Sequence, residues 1–192
     1  MITTPIFSEI DERLIPETTL EKRIIRHPEW RKGAIWGKPR FGHPEGKVLY
    51  HIEEVFENIE KLNINTESRC MLRFITLTHD AFKHQEHRGY PRDWSKHHAV
   101  IARQFSEQFT DNQAILDIIE LHDEAYHIWK MQRQLFQQEA AQKRLNNLLH
   151  RLGNNLQLYY LFFKCDTQTG DKTQVPVSWF EETIKGIEIV RF

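Results

Sequence analysis

The stretch Leu72-Arg73-Phe74-Ile75-Thr76-Leu77 is largely apolar and then delivers Thr78-His79-Asp80, an imidazole and a carboxylate side by side. A helix that only filled a core would stay apolar there. The pair offers one nitrogen and one oxygen ligand, a mix that suits manganese, iron, cobalt or zinc better than calcium, which prefers oxygen alone. A lone His-Asp dipeptide also serves as a helix cap or arises by chance, so the case rests on what converges with it. His51 sits beside the stripe Val48, Ile52, Val55, Ile59 and Leu62; His98 shares a face with Ala102, Phe105 and Phe109; His122 occupies an apolar position between Ile119 and Tyr126. Each can be read singly as a satisfied core histidine. Asp166 continues the stripe Leu156, Tyr159, Phe162 and Phe163. A carboxylate there either turns to solvent or costs several kcal/mol to bury unless a cation compensates it. Lys83, one turn beyond His79, can approach an anion held near that pair, and Arg88, Arg92 and Lys96 in the polar loop can hold the rest of an anionic substrate.

The elements needed to position these groups are all helical. A turn at Pro16-Glu17-Thr18-Thr19 precedes a short helix from Leu20 to Ile25, and the Gly-, Pro- and aromatic-rich segment His27–Lys47 reads as an ordered loop laid across the domain. Its rings, Trp30 to Phe41, serve core packing or cover a site and stack a base. Helices are expected from Val48 to about Leu62, into His79-Asp80, from Ser95 to Phe109, and as one unit through Ile115, Ile118, Ile119, His122, Tyr126 and Trp129. His97, Asp123 and His127 fall off these stripes and read as flanking groups, with Asp123 or Glu124 able to orient a ligand. Gln137–Leu152 ends at Gly153, a helix through Leu156 carries Asp166, and a last helix around Trp179, Phe180 and Ile184 leads into an extended tail.

Composition narrows the class. With 26 basic and 27 acidic residues the net charge is −1, which gives no global signal for nucleic acid or an anionic membrane. The 192 residues suffice for one domain: 1–46 as cap and ordered loop, 47–170 as a metal-binding helical core, 171–192 as a C-terminal helix and tail. Cys70 and Cys165 lie in helical patterns and read as reduced thiols, and no apolar segment near the start is long enough for export, so a cytoplasmic protein is expected. Gly42-His43-Pro44-Glu45-Gly46-Lys47 fails as a phosphate loop: it is one residue short, and Val48 stands where Ser or Thr would bind magnesium.

Five helices each presenting an inward His or Asp can be satisfied jointly by a metal centre in a bundle core. At this point the chain resembles the HD-domain superfamily over His51 to Asp166. Gly42-His43-Pro44-Glu45-Gly46 followed by His51 looks like the segment leading to the first metal histidine in the HD domains of bacterial tRNA nucleotidyltransferases, and His79-Asp80-x-x-Lys83 is similar to the family's HDxxK form. The resemblance implies an all-α HD-domain bundle with core ligands His51, His79, Asp80 and Asp166, and with His98 and His122 as the additional histidines of dinuclear members. The residues themselves leave Asp123 or Asp166 as the last ligand; the family's late aspartate favours Asp166. It further implies one or two divalent ions (Mn, Fe, Co, Zn or Mg), with Asp80 bridging, and a phosphohydrolase in which metal-bound hydroxide attacks a small phosphorylated substrate anchored by Lys83, Arg88, Arg92 and Lys96. A di-iron oxygenase on the same scaffold and a non-catalytic metal-binding interaction module are the alternatives.

Overall fold

The spacing of Val48, Ile52, Val55 and Ile59 puts four apolar side chains on one helical face, and all four are buried in the computed structural model, which describes residues 5–191. Residues 1–4 of the expected cap and Phe192 of the expected tail lie outside the described residues. The regular elements are α1 (Pro5–Arg13), α2 (Thr19–Arg26), α3 (Pro28–Ala34), α4 (Val48–Glu60), α5 (Thr66–Thr78) and α6 (His98–Ser106). They continue with α7 (Gln113–Leu121), α8 (Glu124–Arg133), α9 (Gln138–Leu152), α10 (Leu156–Thr167) and α11 (Val175–Thr183). Short 3-10 turns lie at Lys83–Gln85, Trp94–Lys96 and Gly153–Asn155, and no strand occurs among the described residues. The fold is therefore all-α, and none of its described helices is long and apolar enough to cross a membrane.

Helix α5 is the axis. Every residue from Leu72 to Thr78 is buried, and α5 packs against α2, α4, α6, α7 and α10. Its polar side chains are satisfied within the core: the Thr76 hydroxyl donates to Leu72 O at 2.8 Å and the Thr78 hydroxyl to Phe74 O at 3.1 Å. Arg73 is buried against Glu21 of α2, with contacts of 2.9 and 3.0 Å, so removing Arg73 would strand the buried Glu21 carboxylate. At the far end of α5, Trp30 Nε1 donates to Leu77 O at 2.6 Å. Gly33 lies so close to the chain after α5 that a Cβ there would sit 1.5 Å from Ala81 O, which is why this helix carries glycine.

Three expectations are corrected by the structure. Within His27–Lys47, α3 replaces part of the expected loop, because the His27 side chain caps it by accepting from Glu29 N at 3.3 Å and Pro28 occupies the first helical turn. The helix expected from Ser95 starts at His98, after the 3-10 turn, with His97 Nδ1 accepting from Ala99 N as its cap. The single helix expected through Ile115–Trp129 is two helices, α7 and α8, broken at His122-Asp123. The Tyr159 hydroxyl of α10 enters that break, donating to Leu121 O at 3.1 Å and accepting from Ala125 N at 3.0 Å, so it bridges the two groups that an unbroken helix would pair directly. In consequence Tyr126, expected inward, is partly exposed. The tail runs extended along α10, where Gln157 bonds the backbone of Glu188 and Val190 N donates to the Tyr160 hydroxyl at 3.2 Å.

Candidate metal centre

Each of the expected histidines is buried: His51 in the second turn of α4, His79 at the C-terminal cap of α5, His98 at the first position of α6 and His122 at the cap of α7. Asp80 follows His79, and Asp166 occupies the last turn of α10. Five helices thus bring six side chains to one point, with Asp80 at the middle. One of its oxygens, Oδ2, lies 3.8 Å from His51 Nε2 and 3.5 Å from His79 Nε2. The other, Oδ1, lies 3.5 Å from both His98 Nε2 and His122 Nε2. Asp166 Oδ1 joins the first pair, at 2.8 Å from His51 Nε2 and 3.7 Å from His79 Nε2.

All four rings turn Nε2 to the centre, and two of them are held from the outside through Nδ1. His79 Nδ1 is 3.0 Å from Thr76 O and His122 Nδ1 is 2.8 Å from Ile119 O, both backbone acceptors that assign the proton to Nδ1. His51 Nδ1 faces Glu45 Oε1 at 3.6 Å, and His98 Nδ1 faces Glu86 Oε1 at 3.5 Å. These carboxylates are a little beyond hydrogen-bond reach but stand where an outer partner orients a metal-binding imidazole. Glu45 thereby gives the Gly42–Gly46 loop a purpose: its Oε1 also holds His43 Nδ1 at 2.9 Å.

The polar atoms at the centre fit a cation. His79 Nε2 and Asp80 Oδ1 are buried without a hydrogen bond, and such a group costs about 1–3 kcal/mol when left unpaired. Ligands bound at about 2.0–2.2 Å to one ion stand roughly 3–3.5 Å apart, close to the separations here. The groups His51, His79, Asp80 and Asp80, His98, His122 can each hold a metal ion; mixed imidazole and carboxylate donors suit transition metals and zinc, and nothing in them fixes its identity. Burial pushes the His51 imidazole down to about 4, which leaves it neutral and able to ligate at neutral pH. Burial opposes ionisation of Asp80 and Asp166, but Lys83 beside the first and Lys172 beside the second, with the histidines, hold both well below the usual carboxylate range.

A pocket of about 370 Å³ opens onto this centre, walled on its polar side by Asp80, Lys83, Asp166 and Lys172. Phe41, 92 % exposed, stands on its rim with Tyr126, and Phe163 forms part of its apolar wall. Of the residues expected to bind substrate, Lys83 lines the pocket and pairs with Asp80. The other three lie away from it: Arg88 lies over Trp36, Arg92 pairs with Glu86 and lies over Trp94, and Lys96 is 3.4 Å from Asp93. One cation of the pocket escaped the sequence reading. Lys172, in the loop after α10, lies 3.3 Å from Asp166 Oδ1, and nothing local distinguishes it from a surface lysine. Asp123, which the sequence left as a flanking group able to orient a ligand or as the alternative to Asp166, turns inward at the α7–α8 break and lines the pocket. Cys70 and Cys165 are free thiols, the latter buried. No protein family, curated protein or solved structure matches this chain.

Proposed function

We propose that the protein is a metal-dependent phosphohydrolase of the HD-domain type, acting on a small phosphomonoester or phosphodiester. The observation that carries this reading is Asp80, whose two oxygens face separate pairs of buried histidines while a cation-lined pocket opens beside it. His51, His79 and Asp166 with one Asp80 oxygen would hold one ion, and His98 and His122 with the other oxygen a second. Divalent ions there would lower the pKa of water enough to supply hydroxide at neutral pH, and would offset charge on phosphoryl oxygens. The chain's own residues do the rest. Lys83 and Lys172 present ammonium groups at the pocket wall to the non-bridging oxygens. Although burial opposes it, Asp80 and Asp123 keep Lys83 protonated, so its Nζ also holds a proton within reach of a departing oxygen. Phe41, Tyr126 and Phe163 give the organic part of the substrate an apolar wall, and the volume limits that part to a small molecule. The same donor set suits a di-iron oxygenase, but two lysines in the pocket favour an anionic substrate.

The test is a panel of phosphomonoesters and phosphodiesters with manganese, cobalt, zinc, iron or magnesium, run on wild type and Asp80→Ala. The variant is expected to lose bound metal and turnover together. Hydrolysis at the wild-type rate by metal-free Asp80→Ala would overturn the proposal.

A further inference from the structure

We infer that Asp123 is a metal ligand, which gives the second ion a donor set equal to that of the first. The inference rests on the metal reading of the centre, not on the hydrolytic one. Asp123 Oδ2 lies 3.3 Å from both His98 Nε2 and His122 Nε2. Those two nitrogens are themselves 3.3 Å apart and 3.5 Å from Asp80 Oδ1. Two buried imidazole nitrogens facing one another, with a carboxylate oxygen at equal distance from each, describe a cradle for a cation. The independent sign of a missing partner is Asp80 Oδ1, buried, unbonded and aimed at the same pair.

The local backbone repeats. His79 ends α5 with φ −51° and ψ −41°, His122 ends α7 with φ −56° and ψ −35°, and each sets its Nδ1 on the carbonyl three residues back. An aspartate follows each. The Asp123 side chain is 35 % exposed, against 5 % for Asp80 between the two histidine pairs, and both line the pocket. The two ions therefore receive matched ligands: two imidazoles, one oxygen of Asp80 and one carboxylate of their own, Asp166 for the first and Asp123 for the second. Of the three carboxylates of the centre, all of which line the pocket, Asp123 is the most exposed.

Metal-free protein titrated with cobalt(II), followed by calorimetry, elemental analysis and the visible absorption of the ion, tests this on wild type, Asp123→Asn and Asp166→Asn. Wild type is expected to bind two ions, and each variant to keep one while binding the other at least about 10-fold more weakly. Two ions with unchanged affinity and absorption in Asp123→Asn would overturn the inference and leave the metal centre standing, as would a single wild-type ion lost only in Asp166→Asn. No ion in wild type would overturn both. Circular dichroism follows folding of each metal-free variant. Should Asp123→Asn fail to fold, Asp123→Glu, with its carboxylate one methylene further out, is expected to change the absorption of one of the two ions; an unchanged spectrum would overturn the inference.

Discussion

Lys83 and Lys172 differ in what they hold. Lys83 is part-buried against Asp80, the carboxylate between the two histidine pairs, whereas Lys172 comes from a loop and reaches Asp166 from the pocket side. Losing one charge-assisted hydrogen bond to substrate costs about 1.5–3 kcal/mol, roughly 10- to 100-fold in kcat/KM. Lys172→Ala is expected to show that loss mainly in KM with metal content unchanged, and Lys83→Ala mainly in kcat. Lys96→Ala, whose target lies outside the pocket, is expected to leave steady-state kinetics on the same substrate near wild type. The outer carboxylates act through the rings they face. Glu45→Gln and Glu86→Gln are expected to weaken ion binding by about 10- to 100-fold, Glu45 at the His51 side and Glu86 at the His98 side. Titration of each variant with cobalt reads this, and equal weakening at both sites in either variant would count against the assignment.

Among the elements, the α7–α8 junction decides most. His122 keeps the inward place that the apolar stripe gives it, but Asp123 reaches the centre only because the Tyr159 hydroxyl occupies the backbone groups of Leu121 and Ala125. Burial raises the Tyr159 phenol well above its usual pKa, so it stays a neutral donor throughout the working range. Tyr159→Phe leaves a buried carbonyl and amide to find new partners, at about 1–3 kcal/mol. Thermal unfolding of the metal-free variant is expected to show that loss, together with weaker binding of the second ion. Intact second-ion affinity beside the full stability loss would mean that the break survives without the hydroxyl.

For the whole molecule, the centre joins five helices that two divalent ions would tie together, each through three of them. With free ion at about 100 times its Kd, binding adds roughly 2.7 kcal/mol to the folded state, which raises Tm by about 5–10 °C for a chain of this size. A chelator is expected to reverse that shift in a calorimetric scan. The gap should widen with pH. Burial lowers the His122 pKa, but Asp123 and Asp80 more than offset it and hold the ring well above its usual value. Its contribution to the metal-free fold is fully present below its unfolded pKa and is lost as pH rises through the raised one, while ion binding must displace the same proton. A gap that narrows from pH 6 to pH 8 would contradict this.

Spacing in the sequence was enough for the all-helical class, for α4, α9 and α10, and for the inward aim of His51, His79, His98 and His122, because burial on a helical face follows directly from it; Asp166 was left open between core and solvent. It also marked Lys83. Tertiary structure alone decided three things. It placed the Asp80 oxygens between two histidine pairs, which depends on how α4, α6, α7 and α10 pack around α5. It brought Lys172 to Asp166 and left Arg88, Arg92 and Lys96 outside, because loop direction has no periodicity to read. And it turned Asp123 inward, since the group that breaks the helical period, Tyr159, lies 36 residues away in sequence and reaches Asp123's neighbours only after the chain has folded.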